Sequence, residues 1–439
     1  MPKAHAFEPL RRPQFRRIFA GQVVSGIGDW FDYVALLTLI AFVWKSGAFA
    51  LAALTIAMAV PWIVVGPIAG VWADRLPART LMIGADLLRA LFVVCYLFAG
   101  SLPVLLLLVM CKSAVSTLFL PAKNKAIRQS SSGDDLSAAV ALSTFTGEAT
   151  KVIGPAIGGV LVAMVGPRWA FGVDAATFVL SAVILIGLTL PRTQEPARSQ
   201  SQGFRAELRE GLSFLWQSPA LRMALTGMTA TVFLVFTFDT LSPLTLAALG
   251  IPQSMLGFAI AGIGFGAVLG SLVIGQWGTR LPDSLLMSGC QMVAGTLVAL
   301  VGFAAVTHVH VPKLVWLAGM ILTGVAATGI IMSFSLALQR GTPEPLLGRV
   351  SSSAEVMPTV MQLIAPPIGA AVASAFGVGW VLALAGAFLA VLGLVTVAPS
   401  WRSAGGLWAA RDLDVVAHMS SPHPAKLGMP PSGQQAFFL

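Results

Sequence analysis

Apolar stretches of roughly 20 residues recur along this chain up to about residue 400, and each is long enough to cross about 30 Å of hydrocarbon as a helix. Twelve can be counted, near 18–43, 48–72, 80–99, 102–120, 137–165, 169–190, 221–248, 255–277, 284–306, 312–337, 351–376 and 379–398. Only 10% of the residues are charged, where a soluble domain carries about a quarter. The pattern predicts an all-α membrane protein of twelve transmembrane helices. The first span is too long for a cleavable signal peptide and lacks a small-residue cleavage site, so it is expected to stay.

The sparse cations predict the orientation. With both termini in the cytoplasm, 21 of the 27 Lys and Arg residues fall in inner segments. Only Lys45, Arg168 and Lys313 fall in outer ones, and Arg89, Lys112 and Lys151 lie within spans. This bias is the one that orients helices in a cytoplasmic (inner) membrane. It also accounts for the net charge of +9 without nucleic acid, which would call for basic residues clustered on one soluble face. Cys95, Cys111 and Cys290 are far apart in sequence and lack metal-ligand spacing, so they read as small buried apolar residues. His308 and His310 have no further ligands nearby and read as a polar loop. No metal or cofactor is expected.

The chain repeats itself. "GVWADRLPARTLMIG" at 70–84 and "GQWGTRLPDSLLMSG" at 275–289 share eight of fifteen positions at a constant offset of 205. Ile153, Pro155, Ile157, Gly158, Gly166 and Trp169 recur as Ile364, Pro366, Ile368, Gly369, Gly377 and Trp380, at an offset of 211. Two parallel six-helix repeats follow. The expected organisation is a cytoplasmic segment over 1–17, a first half over 18–190, a linker over 191–219, a second half over 220–399, and a flexible cytoplasmic tail over 400–439. Part of the linker, "FRAELREGLSFLW", reads as an interfacial helix.

Twelve spans in two repeats, with "GVWADRLPART" after the second span, resemble the major facilitator superfamily. The superfamily's loop motif, Gly-x-x-x-Asp-Arg-x-x-x-Arg, is matched by Gly70, Asp74, Arg75 and Arg79. Its usual glycine after the Arg is replaced by Leu76-Pro77, so the turn is built differently. A second motif, Gly-Pro-x-x-Gly-Gly in the fifth span, is matched by Gly154, Pro155, Gly158 and Gly159, and the resemblance marks exporters that exchange substrate for protons. "FRRIFAGQVVSGIGDWF" and "FGVDAATFVLSA" narrow the likeness to bacterial multidrug, macrolide and siderophore exporters. The resemblance covers about residues 12–400. It implies the major facilitator fold, no enzymatic activity, and partners limited to a small-molecule substrate, protons and membrane lipid, with the chain working as a monomer.

For the loop motif the plain reading is topological, since loop cations hold that end of the helices inside. An Asp contributes little to orientation, yet at a helix end it can meet the positive end of a neighbouring helix dipole. The resemblance implies that Gly70, Asp74, Arg75 and Arg79 latch the inner face while the transporter is open outward. The second copy keeps Arg280 but has Thr279 and Ser284 in place of the Asp and the second Arg. A latch is therefore expected in the first half alone. In the fifth span Pro155 removes a backbone hydrogen bond, while the glycines permit close helix contact. Ordinary packing is the simpler reading of that run.

Charges inside the spans need their own reasons, because each costs about 2.5–3.5 kcal/mol near the bilayer centre. Asp29 and Asp32 share one face of the first span, about 17–21 Å along it. Glu148 and Lys151 share that spacing in the fifth span, and Lys112 falls near the middle of the fourth. Internal pairing is the plain reading, Glu148 with Lys151 and an aspartate with Lys112. Three acids against two bases favour a further role, because burial penalises an ionised carboxyl and brings proton exchange within reach. Asp29, Asp32, Lys112, Glu148 and Lys151 are the candidates for proton coupling or substrate contact. Asp174 and Asp239 read as structural or gating groups, and Asp86 with Arg89 as a structural pair.

The function expected is secondary active export of an amphiphilic small molecule (a drug, a macrolide-like compound, a siderophore or another metabolite) by alternating access between the two halves. There is no Gly-x-x-x-x-Gly-Lys nucleotide loop, so an ion gradient must drive it. The alternatives are an importer or uniporter on the same scaffold, or a non-transporting sensor. A lipid-modifying enzyme would need a nucleophile with its base, or a metal cluster, and neither is found.

Overall fold

The structure, a computed structural model, describes residues 8–131, 134–191, 204–277, 281–343 and 346–397. Among them every regular element is a helix. The first half holds α1 (Pro13–Thr38), α2 (Gly47–Val64), α3 (Gly66–Arg75), α4 (Ala78–Tyr96), α5 (Leu102–Ser130) and α6 (Asp134–Ile186). After α7 (Phe204–Gln217) come α8 (Pro219–Phe238), α9 (Ser242–Ala248), α10 (Met255–Trp277), α11 (Asp283–Val306), α12 (Lys313–Gly341), α13 (Leu347–Ala354), α14 (Val356–Phe376) and α15 (Val378–Val397). The predicted tail, residues Thr279 and Arg280 of the second loop copy, and most of the linker ahead of α7 lie outside the described residues.

Ten of the described helices are long and apolar enough to cross a membrane. The longest is turned at Gly166, whose backbone (φ 81°, ψ 163°) lies in a region favouring glycine, so α6 is two arms. α4 carries Arg79, Asp86 and Arg89 and is too charged to count on apolarity alone. Several elements depart from the expected spans for local reasons. The second span breaks at Val65, one residue before Gly66-Pro67, where proline cannot donate a backbone bond. The first ends in a wider turn over Leu39–Val43, in which the Trp44 amide donates five residues back to Leu39 (2.8 Å). α5 continues ten residues past the expected end. There Ala122, Ala126 and Ile127 stay buried while Arg128 faces out, an amphipathic turn that a count of apolar residues misses.

Packing sorts the helices into two groups. α1, α4 and α5 gather around α6, whereas α8, α10, α11, α12 and α14 pack among themselves. Across the divide α2 meets α14, and the first arm of α6 meets α10. One end of the bundle, called here the basic end, carries Arg12, Arg17, Arg79, Arg128, Arg222 and Arg340. At the opposite, far end a single apolar core joins both groups. It includes Leu36, Leu51 and Phe171 from the first half and Leu241, Leu246 and Leu256 from the second. At the basic end each group keeps a core of its own, around Phe15, Met82 and Leu185 in one and Leu215, Leu221 and Phe334 in the other. The two halves are therefore joined at the far end and separate at the basic end.

Candidate functional site

Between the halves lies a cavity of about 960 Å³, at the upper end of the roughly 300–1,000 Å³ of small-molecule sites. Trp30, Tyr33 and Phe119 line it from the first half, and Phe238, Trp316 and Met320 from the second. Trp30 and Tyr33 meet edge to face with centroids 5.7 Å apart. The wall is mostly apolar, with charged groups at a few positions: Asp29, Arg89, Lys112, Lys151 and Asp239.

Behind the first-half wall sits a charged network built from four helices. The three-residue spacing of Asp29 and Asp32 puts both on the face of α1 that looks toward α5. There the Lys112 ammonium donates to Asp29 Oδ1 (2.6 Å) and Asp32 Oδ2 (3.0 Å). Arg89 of α4 donates to Asp29 Oδ2 (3.4 Å) and pairs with Asp86 one turn before it; Asp86 Oδ2 also accepts from Ser181 (2.7 Å). The Arg89 guanidinium lies over the rings of Phe119 (4.5 Å to the centroid) and Phe178 (4.3 Å), an aromatic seat for a desolvated cation. Asp174 completes the group from the second arm of α6, within electrostatic reach of Asp32, Lys112, Asp29 and Arg89. It comes so close because Gly28 leaves room, as a Cβ there would run into Asp174 and Thr177.

The balance of this network decides what it can do. Asp29, Asp32, Asp86 and Asp174 are four carboxyl groups facing two cations, Arg89 and Lys112, so the group is neutral only when it holds two protons. Asp32 Oδ1 and Asp174 Oδ2 are buried and have no hydrogen-bond partner. An uncompensated buried charge is expensive, and two of these acids have no cation of their own to offset it. Exposure differs sharply between the two α1 acids: the Asp29 side chain is 39% exposed and that of Asp32 only 2%. Asp29 is the acid of the network that faces the cavity, beside Arg89 and Lys112, and Asp32 lies behind it.

The expected site residues are thus partly brought together. Asp29, Asp32 and Lys112 form one cluster, and Lys151 lines the same cavity from the first arm of α6, where it is engaged by a neighbour. The backbone of Glu148 lies one turn earlier on that arm, and its side chain lies outside those described. Three residues gain a place that spacing did not reveal. Arg89, expected only as the partner of Asp86, also binds Asp29; Asp174 belongs to the network; and Asp239 lines the cavity. The cation that reaches Asp32 comes from α5, so counting charges along its own helix misses it.

The fifth-span motif has a two-sided geometry. A Cβ on Gly154 would lie 2.6 Å from Trp30 Cδ1, and one on Gly158 would lie 3.2 Å from the Phe31 ring, so these glycines let α6 close on α1. Gly159 faces the other half, where a Cβ would lie 2.6 Å from Gly257 Cα of α10. Further along, the position of a Cβ on Gly264 is 3.0 Å from Val152 Cα. The glycine-rich "LGFAIAGIGFGAVLG" of α10 was the signal for this contact.

Of the loop motif, Gly70, Asp74 and Arg75 fall in α3 and Arg79 in the first turn of α4. The Asp74 side chain lies outside those described, and Arg75 is exposed. Arg79 donates to the Ile186 carbonyl (2.5 Å) at the end of α6, while Lys125 of α5 donates to the carbonyls of Ala73 (2.8 Å) and Leu76 (3.2 Å). Cations thereby cap two helix C-termini, where the dipole favours them.

Comparison with known proteins agrees with this architecture. The model of the transmembrane secretion effector family matches residues 4–429. The chain is 29% identical over 409 residues to the uncharacterized MFS-type transporter YfiS of Bacillus subtilis (strain 168), covering 88% of this chain and 95% of that one. It is 29% identical over 270 residues to the enterobactin exporter EntS of Salmonella typhimurium, a match spanning 60% of each. Among solved structures the nucleoside transporter NupG superposes with a TM-score of 0.73 at 13% identity, over 88% of this chain and 99% of the other. A peptide transporter POT gives 0.70 at 14%, over 88% and 94%. These structural likenesses bear on the fold alone. The chain is a multi-pass membrane transporter, not an enzyme, and belongs to the transmembrane secretion effector family of the major facilitator superfamily.

Proposed function

We propose that this protein exports an amphiphilic small molecule from the cytoplasm in exchange for protons, by alternating access between two halves. In this reading twelve helices cross the inner membrane, six in residues 18–190 and six in 220–399. The segment 1–17, the linker 191–219 and the tail 400–439 are cytoplasmic. The basic end faces the cytoplasm, so the closed far end makes this the inward-facing state. The enterobactin exporters among its relatives support the outward direction. One observation carries the proposal: a sealed network with two more carboxyl groups than cations touches the substrate-sized cavity through Asp29. A proton arriving there and a substrate in the cavity act on the same wall, which is what exchange requires.

The test uses vesicles carrying Asp29→Asn, Asp32→Asn or Glu148→Gln. Each should weaken uphill export driven by a pH gradient, while downhill exchange of substrate persists. The expected order of damage is Asp32, then Glu148, then Asp29, since Asp32 is the sealed carboxyl with an oxygen left unpartnered. Normal gradient-driven export in all three would refute coupling through these acids.

A further inference from the structure

Among the described residues, five charged ones reach the cavity wall. Asp29 is paired with Arg89 and Lys112 within the network, and Lys151 is engaged by its own neighbour. The fifth, Asp239, stands alone. It sits where α8 breaks into the short turn Asp239–Leu241, and the Ser242 hydroxyl that folds back there takes the backbone carbonyl of Asp239 and leaves the carboxylate untouched. Among the described residues no cation and no hydrogen-bond donor answers that carboxylate. It is also the one charged group that the second half contributes to the wall.

The cavity wall that Asp239 joins is rich in aromatic rings. Phe238 precedes it, Trp316 lies on the same half of the wall, and Trp30 and Tyr33 stand on the other. Tyr33 is within electrostatic reach of Asp239, so the two mark one place in the cavity from opposite halves. An unanswered carboxylate repels anions and attracts cations, and ring faces attract desolvated cations as well. The same protein already seats Arg89, another residue of the cavity wall, on two rings.

We propose that Asp239, with Tyr33, Trp30, Phe238 and Trp316, is the seat for the positive group of a lipophilic organic cation. The substrate class is then an aromatic or alkyl-rich amine or onium ion, whose charge supplies what Asp239 lacks and whose apolar body fills the remaining cavity. A cation held between Tyr33 and Asp239 touches both halves, so its binding bears on their relative position. The inference rests on the reading of the cavity as the transport site, but binding needs neither a gradient nor movement, so it can fail or stand separately.

The experiment measures equilibrium binding of two ions of matched shape and opposite charge, tetraphenylphosphonium and tetraphenylborate, to the full-length protein in lipid nanodiscs. The wild type should prefer the phosphonium by about tenfold or more, the size of one good desolvated cation contact. Asp239→Asn should bring the ratio toward one, and Asp239→Glu should keep it. Tyr33→Leu should weaken phosphonium binding and Tyr33→Phe should not, a pair that leaves Asp239 intact in case its variants do not fold. No phosphonium binding by the wild type, a wild-type ratio near one, or an unchanged ratio in Asp239→Asn would overturn the proposal. If the ratio fails while vesicles still export against a gradient, only the substrate class falls. If the ratio holds and gradient-driven export is absent, the seat stands and the transport reading falls.

Discussion

Replacing Gly159 by Ala should open the far end. The added Cβ would lie 2.6 Å from Gly257 Cα and 3.1 Å from Gly257 N, both backbone atoms with no freedom to swing aside. Carbons in contact ordinarily sit about 3.5–4.0 Å apart, so the first arm of α6 and α10 must part by about 1 Å. Overpacking of this kind costs about 1–3 kcal/mol. The cost falls only on the state in which the halves touch here, so the balance between states shifts by about 5–150-fold toward far-end separation. Spin labels at Ser46→Cys and Gln253→Cys, exposed far-end positions of the two halves, would report it as a longer distance. The three native cysteines, which are free, would first be replaced. Gly275→Ala is the control, since a Cβ there meets nothing within 4 Å on the same helix. An unchanged distance distribution in Gly159→Ala, or an equal shift in Gly275→Ala, would refute the contact as the far-end closure.

Three other predictions concern separate parts of the chain. Arg89→Leu leaves Asp86 buried with Ser181 alone and should cost about 3–5 kcal/mol, read as a lower thermal midpoint in detergent; Arg89→Leu with Asp86→Leu should recover much of it, and a double variant no better than the single would count against the pair. Asp74→Asn should cripple transport without lowering expression, whereas Thr279→Ala should be mild, and equal transport by both would sink the one-sided latch. Removing 421–439, whose Pro-, Gly- and polar-rich sequence lacks the apolar area to fold alone, should leave membrane accumulation intact on an immunoblot of the membrane fraction.

How far the sequence could be read depends on whether an interaction runs along a helix or between helices. The apolar spans were legible because desolvating a polar backbone forces long apolar helices, a local rule. The pairing of Asp29 and Asp32 on one face was legible for the same reason, as the helical period fixes it. That Lys112 would lie between them, or that Arg89 would bridge Asp86 to Asp29, depends on which helices are neighbours, and spacing along a chain is silent on that. Asp174 looked peripheral by its depth in the sixth span. It joins the network because Gly28 lets two helices approach, and a glycine in a membrane helix does not announce which neighbour it admits.

The sequence match at the offset of 205 extends to a pair of buried polar residues. Position 86 recurs at 291 under the offset of 205, and both side chains are fully buried: Asp86 in the first half, Gln291 in the second. Each is held by a hydroxyl from the last helix of its half, Ser181 on α6 and Thr396 on α15, and Gln291 also donates to Thr231 (2.8 Å) on α8. The two positions share a packing role, and only the first is ionisable. An amide satisfies its neighbours in one protonation state only, whereas a carboxyl has two. If protons act on one half alone, their effect reaches the other only where the halves touch. One such contact is the glycine seam of Gly159 with Gly257 and of Gly264 with Val152, on the same helical arm that carries Glu148 and Lys151. The first arm of α6 thus meets α1 through Gly154 and Gly158 and α10 through Gly159, which gives a physical reason for its motif to be built of small residues.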